Sequence, residues 1–229
     1  MATLGLENLR LDGVRLAVLD VDHTLVDGST AFWFGYYLAR HGEIPWSTLM
    51  RGGYWAIKHR TGFIDVEAVM QGSAGHLGGM STEHIDHLTE QSFKTHIQPR
   101  IFGQAREIVA RCHDLGIQTL LLSASGSQMV EQVARELGVP DHIGNELEMS
   151  DGIATGRLLQ PYAYGVGKLD ALESYIAERS IDLEQCAGFA DSQSDLPLLR
   201  RLGSPHAVNP DRTLRREARE NAWPILDLT

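Results

Sequence analysis

Three short apolar runs punctuate the chain, and each ends on a polar residue of a particular kind. Leu16-Ala17-Val18-Leu19 leads into Asp20, Thr119-Leu120-Leu121-Leu122 into Ser123, and Cys186-Ala187-Gly188-Phe189-Ala190 into Asp191. Continuous apolar runs of this length are the pattern of strands buried on both faces. Between them the spacing changes to that of helices. Gln104 to Leu115 carries Ile108, Val109, Cys112 and Leu115, then stops at Gly116. Gln128 to Leu137 stops in the same way at Gly138, and Lys168 to Ile176 forms a third such segment. Glycine just past the last periodic residue is the usual helix stop. Strands alternating with helices of this size need crossover connections, so the pattern predicts an α/β fold around a parallel sheet.

Two stretches break the alternation. Between about Gly28 and Gln98 no strand pattern is visible, only helix-like segments punctuated by Gly42, Pro45, Gly62 and Gly78-Gly79. A helical insertion directly after the first strand is the simplest account. It divides the chain into a core of residues 1–27 and 98–229 and an inserted unit of residues 28–97. The second break is Glu146 to Leu158, where Asp151-Gly152 between alternating segments reads as a hairpin turn.

Composition narrows the class without naming it. Of the 229 residues 43% are hydrophobic, enough for a core that needs no disulfide or structural metal. Lys plus Arg is 20 and Asp plus Glu is 30, giving 20 − 30 = −10, a balance that argues against a nucleic-acid partner. Basic residues concentrate only in Arg51–Arg60 and in the series Arg212, Arg215, Arg216, Arg219, whose spacing with Glu217 and Glu220 predicts a solvated helix face. Cys112 and Cys186 stand alone, without zinc or disulfide spacing. The start lacks a basic segment followed by an apolar one, and Ala31–Ala39 is too short to span a bilayer, so a cytoplasmic protein is expected.

The candidate chemistry lies at the predicted strand ends, where open parallel sheets bind ligands. Those ends hold Asp20 and Asp22, Ser123, then Asp191 and Asp195, and Lys168 opens the helix before the last strand. Converging carboxylates repel one another unless a cation joins them, and oxygen-rich sites suit Mg²⁺. A divalent cation, a lysine and a hydroxyl together form a clamp for a phosphoryl group.

In these residues the chain resembles the haloacid dehalogenase (HAD) superfamily, in the branch that includes phosphoserine phosphatase. Leu19-Asp20-Val21-Asp22-His23-Thr24-Leu25 matches DxDxT, Ser123 follows an apolar strand, Lys168 follows in order, and Asp191-Ser192-Gln193-Ser194-Asp195 matches DxxxD. The likeness covers about residues 14–27 and 98–226. It implies a Rossmann-like parallel sheet with a helical C1-type cap after the first strand, and a Mg²⁺-dependent phosphatase acting on a small-molecule phosphate ester.

Roles follow residue by residue from the resemblance. Asp20 is the expected nucleophile, forming an aspartyl-phosphate. Asp22 is the expected acid and base. Mg²⁺ is expected on Asp20, the backbone carbonyl of Asp22, and Asp191. Ser123, the adjacent Ala124 and Lys168 are expected to hold the phosphoryl oxygens, Thr24 to fix the first loop, and Asp195 to orient Lys168 or a metal-bound water.

The likeness does not extend to the residues with which phosphoserine phosphatases bind their substrate. The glutamate shortly after DxDxT is missing from Val26-Asp27-Gly28-Ser29-Thr30, and the cap arginine is missing from Gln71–His76. The tail, Ala207–Asp211 with Ala222–Ile225, resembles more the branch of histidinol-phosphatase-like or generic hydrolases. The insertion holds Phe32, Trp33, Phe34, Tyr36, Tyr37, Trp46, Tyr54 and Trp55, mostly as its own interior, with a minority left for an apolar leaving group. Phosphoserine, histidinol phosphate and a lysophospholipid phosphate stay open as substrates, as does a catalytically silent binding protein. Ser81 with Glu83, His84 and His87 reads as a capped, solvated helix and not as a metal site.

Overall fold

The computed structural model describes residues 9–50 and 66–228, so Tyr54, Trp55, Gly62 and the Arg51–Arg60 stretch lie outside the described residues. Strands β1 (Leu16–Leu19), β2 (Gln118–Gly126), β3 (Asp141–Asn145), β6 (Cys186–Ala190), β7 (Ser204–Val208) and β8 (Ile225–Leu226) form one six-stranded sheet. Its order is β3-β2-β1-β6-β7-β8, and every pairing is parallel. The chain leaves β1 towards β2 and β3, then returns to β1's other side as β6. That reversal opens a crevice at the carboxyl ends of β1 and β6.

Side-chain alternation along these strands feeds two cores. Ala17, Leu19 and Leu121 pack with Ile108, Val109 and Cys112 of α4 (Gly103–Asp114) and with Val130, Val133 and Leu137 of α5 (Ser127–Leu137). Leu16, Val18, Leu120 and Leu122 face the other way, onto Leu169, Leu172 and Ile176 of α6 (Val166–Ala177). A period of two with both sets apolar is what a doubly covered sheet requires. Each fully buried leucine contributes about 1.5–3 kcal/mol relative to an exposed one. Gly138 ends α5 at φ +70°, a left-handed position that glycine takes without a Cβ penalty.

Residues between β1 and α4 supply α1 (Thr30–Arg40), α2 (Val66–Ala74) and α3 (Thr82–Ser92). Among the described residues this stretch contains no strand, only the isolated bridges Asp22–Val26, Val26–Ile101 and Ser81–Ile153. Ser81 caps α3 by accepting from the His84 amide, and the exposed His84 ring pairs with Glu43 at 3.1 Å, as expected of a solvated helix. Tyr37, Leu38, Ile44 and Leu88 make a small interior of their own, with Phe34 and Leu49 against it. Trp33 stacks on His96 with ring centroids 5.7 Å apart, and Arg100 lies 3.7 Å over its indole. Phe32 and Trp46 are exposed.

The hairpin β4 (Leu147–Ser150) and β5 (Ile153–Leu158) turns through Asp151 and Gly152, both at positive φ, the conformation its sequence calls for. It leaves the main sheet and packs on the inserted helices. Ala154 exchanges backbone hydrogen bonds with Gly79 and Met80, and Gln71 makes a two-way pair with the Leu158 backbone. Ala74, Ile85, Leu147 and Ala154 are buried together there. Among the described residues no helix is long and apolar enough to cross a membrane.

Candidate active site

Asp20 follows β1 directly, and its backbone amide donates to the Phe189 carbonyl of β6, which fixes the first turn after the strand. Its carboxylate is nearly enclosed and divided between two partners. Thr24 Oγ1 donates to Oδ2 at 3.2 Å, and Lys168 Nζ lies 2.7 Å from Oδ1. Lys168, itself only 3% exposed, also lies 2.6 Å from Asp195 Oδ1, an ion pair whose angle is poor for a hydrogen bond. Burial alone would depress the Lys168 ammonium, but Asp195 and Asp20 outweigh it and hold the charge firmly.

Asp191, at the end of β6, completes the group. One oxygen from each of Asp20, Asp191 and Asp195 falls within 4.8 Å of the others. Burial, then the charges of Asp20 and Asp195, push the Asp191 carboxyl up to about 8. Burial likewise raises Asp195, with Lys168 acting against it. The formal sum is three carboxylates against one ammonium, −3 + 1 = −2. A hard divalent cation with oxygen ligands matches both the deficit and the donor set, so these residues fit Mg²⁺.

The hydroxyl end of the site comes from β2. Ser123 is buried and its Oγ accepts from the Ser125 amide at 3.2 Å, while Ala124 stays partly open. Thus β1, β2, β6 and the first turn of α6 bring Asp20, Thr24, Ser123, Ala124, Lys168, Asp191 and Asp195 to one end of the sheet.

The chain belongs to the haloacid dehalogenase-like hydrolases. The family model matches residues 17–200. The hydrolase is 32% identical over 221 residues to phosphoserine phosphatase SerB1 of Mycobacterium tuberculosis, covering 95% of this chain and 72% of that protein. It is 30% identical over 218 residues to a histidinol-phosphatase of Neisseria meningitidis, covering 93% of this chain and 98% of that one. A solved protein of unknown function from Bordetella pertussis superimposes with a TM-score of 0.87 at 27% identity, covering 93% of this chain and 98% of that chain. The hydrolase is a phosphatase of this family.

Asp22 is placed differently from the three clustered carboxylates. Its side chain accepts from Ser29 Oγ at 3.3 Å, from the Thr30 amide at 3.0 Å, from Thr30 Oγ1 at 2.7 Å and from Ser125 Oγ at 3.0 Å. Ser29 is the N-cap of α1 and Thr30 its first residue, so this socket joins the inserted helices to the end of β2. Sequence reasoning missed Ser29, Thr30 and Ser125 as its partners. The signal available was a Ser-Thr pair at a helix start near DxDxT, which looks like ordinary capping. It also missed the bracing of the fourth loop. Asp211 caps α7 (Arg212–Glu220) while accepting from the Gln193 amide at 2.8 Å, and the Asp211 amide donates to the Asp191 carbonyl.

Proposed function

We propose that the hydrolase removes phosphate from a small-molecule phosphomonoester by way of an aspartyl-phosphate on Asp20, with residues 28–97 serving as its cap. The observation that carries this reading is the Asp20–Asp191–Asp195 cluster closed by Lys168. Asp20 and Asp191, with the Asp22 carbonyl, would hold Mg²⁺, whose chemistry is to offset the repulsion between an anionic nucleophile and an anionic phosphate.

An Asp20 oxygen attacks phosphorus, and the bond from phosphorus to the ester oxygen breaks. Asp22, protonated at the start of the cycle, gives the departing oxygen its proton, then regains one from the water that cleaves the acyl phosphate, which restores the Asp20 carboxylate and releases orthophosphate. Lys168, held charged between two carboxylates, steadies both the Asp20 oxygen and the incoming phosphoryl group. Ser123 and the adjacent Ala124 would hold the remaining phosphoryl oxygens. Asp195 keeps the lysine in place.

Orthophosphate release from a panel holding phosphoserine, histidinol phosphate, lysophosphatidate and p-nitrophenyl phosphate, with and without Mg²⁺, tests the reading. Magnesium-dependent release that disappears in Asp20→Asn is expected. Release that persists in that variant would overturn the nucleophile assignment.

A further inference from the structure

Asn145, the last residue of β3, is 3% exposed and lies outside every residue given a role above. Its Nδ2 donates to the Ala124 carbonyl at 2.5 Å, and its Oδ1 accepts from the Ala163 amide at 2.8 Å. A carbonyl only accepts and a backbone amide only donates, so the side chain has one workable orientation. Ala124 sits at the phosphate-facing end of β2, between Ser123 and Ser125. Ala163 lies in the loop that runs into Lys168.

The surroundings leave this clamp little play. A Cβ on Gly144 would come within 2.8 Å of Ser127 Cα and 2.9 Å of the Ser125 carbonyl, so only glycine lets β3 press this closely on the β2 end. A Cβ on Gly167 would overlap the Tyr162 carbonyl, which seats the 162–165 loop against the first turn of α6. The same loop is hydrogen-bonded onto that turn, Gly167 N to Tyr164 O at 3.0 Å and Lys168 N to Gly165 O at 3.3 Å. One buried amide therefore spans two backbone segments that are distant in sequence, each packed against a different half of the site.

We propose that Asn145 is a positioning residue for the phosphate pocket, its side-chain amide holding the Ser123–Ser125 strand end in register with the loop that sets Lys168. The proposal rests on the phosphatase reading above. Asn145→Asp is nearly the same shape and keeps an acceptor for Ala163, but sets an oxygen against the Ala124 carbonyl. Asn145→Ser stays neutral and is too short to reach both partners.

The test measures kcat and KM on p-nitrophenyl phosphate with Mg²⁺, and inhibition by orthophosphate, for wild type and both variants. Circular dichroism and a thermal melt establish that each is folded. A displacement of the pocket groups by a fraction of an ångström predicts a kcat loss of roughly ten- to hundredfold and weaker orthophosphate inhibition. A merely structural role would lower the melting temperature and leave both readouts at wild-type values in the folded protein. That result in either folded variant overturns the proposal, Asn145→Ser serving if Asn145→Asp does not fold. An inactive wild type would instead sink the phosphatase reading itself.

Discussion

Lys168 shows how much a single side chain carries in this site. It is buried with Asp20 at 2.7 Å and Asp195 at 2.6 Å, so removing it leaves two enclosed carboxylates without a counter-charge. Breaking a buried pair from one side costs about 3–5 kcal/mol, far more than the pair contributes when intact. Lys168→Met is therefore expected to lose several kcal/mol in urea unfolding as well as its turnover. Asp20→Asn takes the opposite course. It removes one negative charge from a cluster that is already over-negative, leaves Lys168 paired with Asp195, and is expected to be inactive while melting at or above the wild-type temperature. A melt of each variant beside an orthophosphate assay separates the two. If Lys168→Met proves as stable as wild type, the charge bookkeeping of the site is wrong.

At the scale of the elements, the hairpin's union with the inserted helices is tight enough to test by one methyl group. Gly156 stands at φ +79°, and a Cβ there would lie 3.3 Å from the Gly75 and Gly78 backbones. Gly156→Ala combines left-handed strain with overpacking against backbone. A loss of about 1–3 kcal/mol is expected, read as a lower melting temperature; an unchanged melt would show that the hairpin is not held there. The turn of this hairpin was legible in the sequence because Asp151-Gly152 announces its own backbone conformation. Strands β1 and β6 were legible to the residue, since central strands are apolar on both faces. Strand β3 was not, because Asp141-His142-Ile143-Gly144-Asn145 is a polar edge with no alternation to find. Strand β8 is two residues long, below any periodic signal. The site divides on the same line. Asp20, Ser123, Lys168 and Asp191 are marked by the apolar run or helix beside them. The Asp22 socket and the Asn145 clamp depend on contacts across 103 and 21 residues, which no local pattern encodes.

For the whole molecule, acid sensitivity has an identifiable source in β7, the strand beside the β8 edge of the sheet. His206 of β7 is fully buried, stacked on Phe189 with centroids 4.4 Å apart. Its Nε2 accepts from the Arg10 amide, which leaves Nδ1 to donate to the Ser204 carbonyl and makes the neutral ring the one that fits. Burial lowers its pKa to about 4 from an ordinary 6.5. Above pH 6.5 the ring is neutral in both folded and unfolded chains and adds no pH dependence. Between 6.5 and 4 the unfolded chain takes up a proton that the folded one refuses, so stability falls with pH, by about 3 kcal/mol across the window. Urea unfolding at pH 7 and pH 5 should show the loss, and His206→Phe should be less stable at pH 7 but flatter in slope. An equal slope in the two proteins would clear His206. Magnesium would act at the Asp20–Asp191–Asp195 cluster, at the carboxyl ends of β1 and β6. It should raise the melting temperature of wild type by binding only the folded cluster, and do so much less in Asp191→Asn.

The hairpin's placement also bears on how such a protein can be re-engineered. Leu147, Met149, Ala154 and Leu158 turn towards Ala74, Leu77, Met80 and Ile85, away from the main sheet. A chimera made by swapping residues 28–97 alone for a foreign insert would strip that ribbon of its cover and invite aggregation. With residues 28–97 as the proposed cap, the transplantable module would be discontinuous: the insert would travel with residues 147–158, a second piece of chain that enters the sequence some fifty residues later.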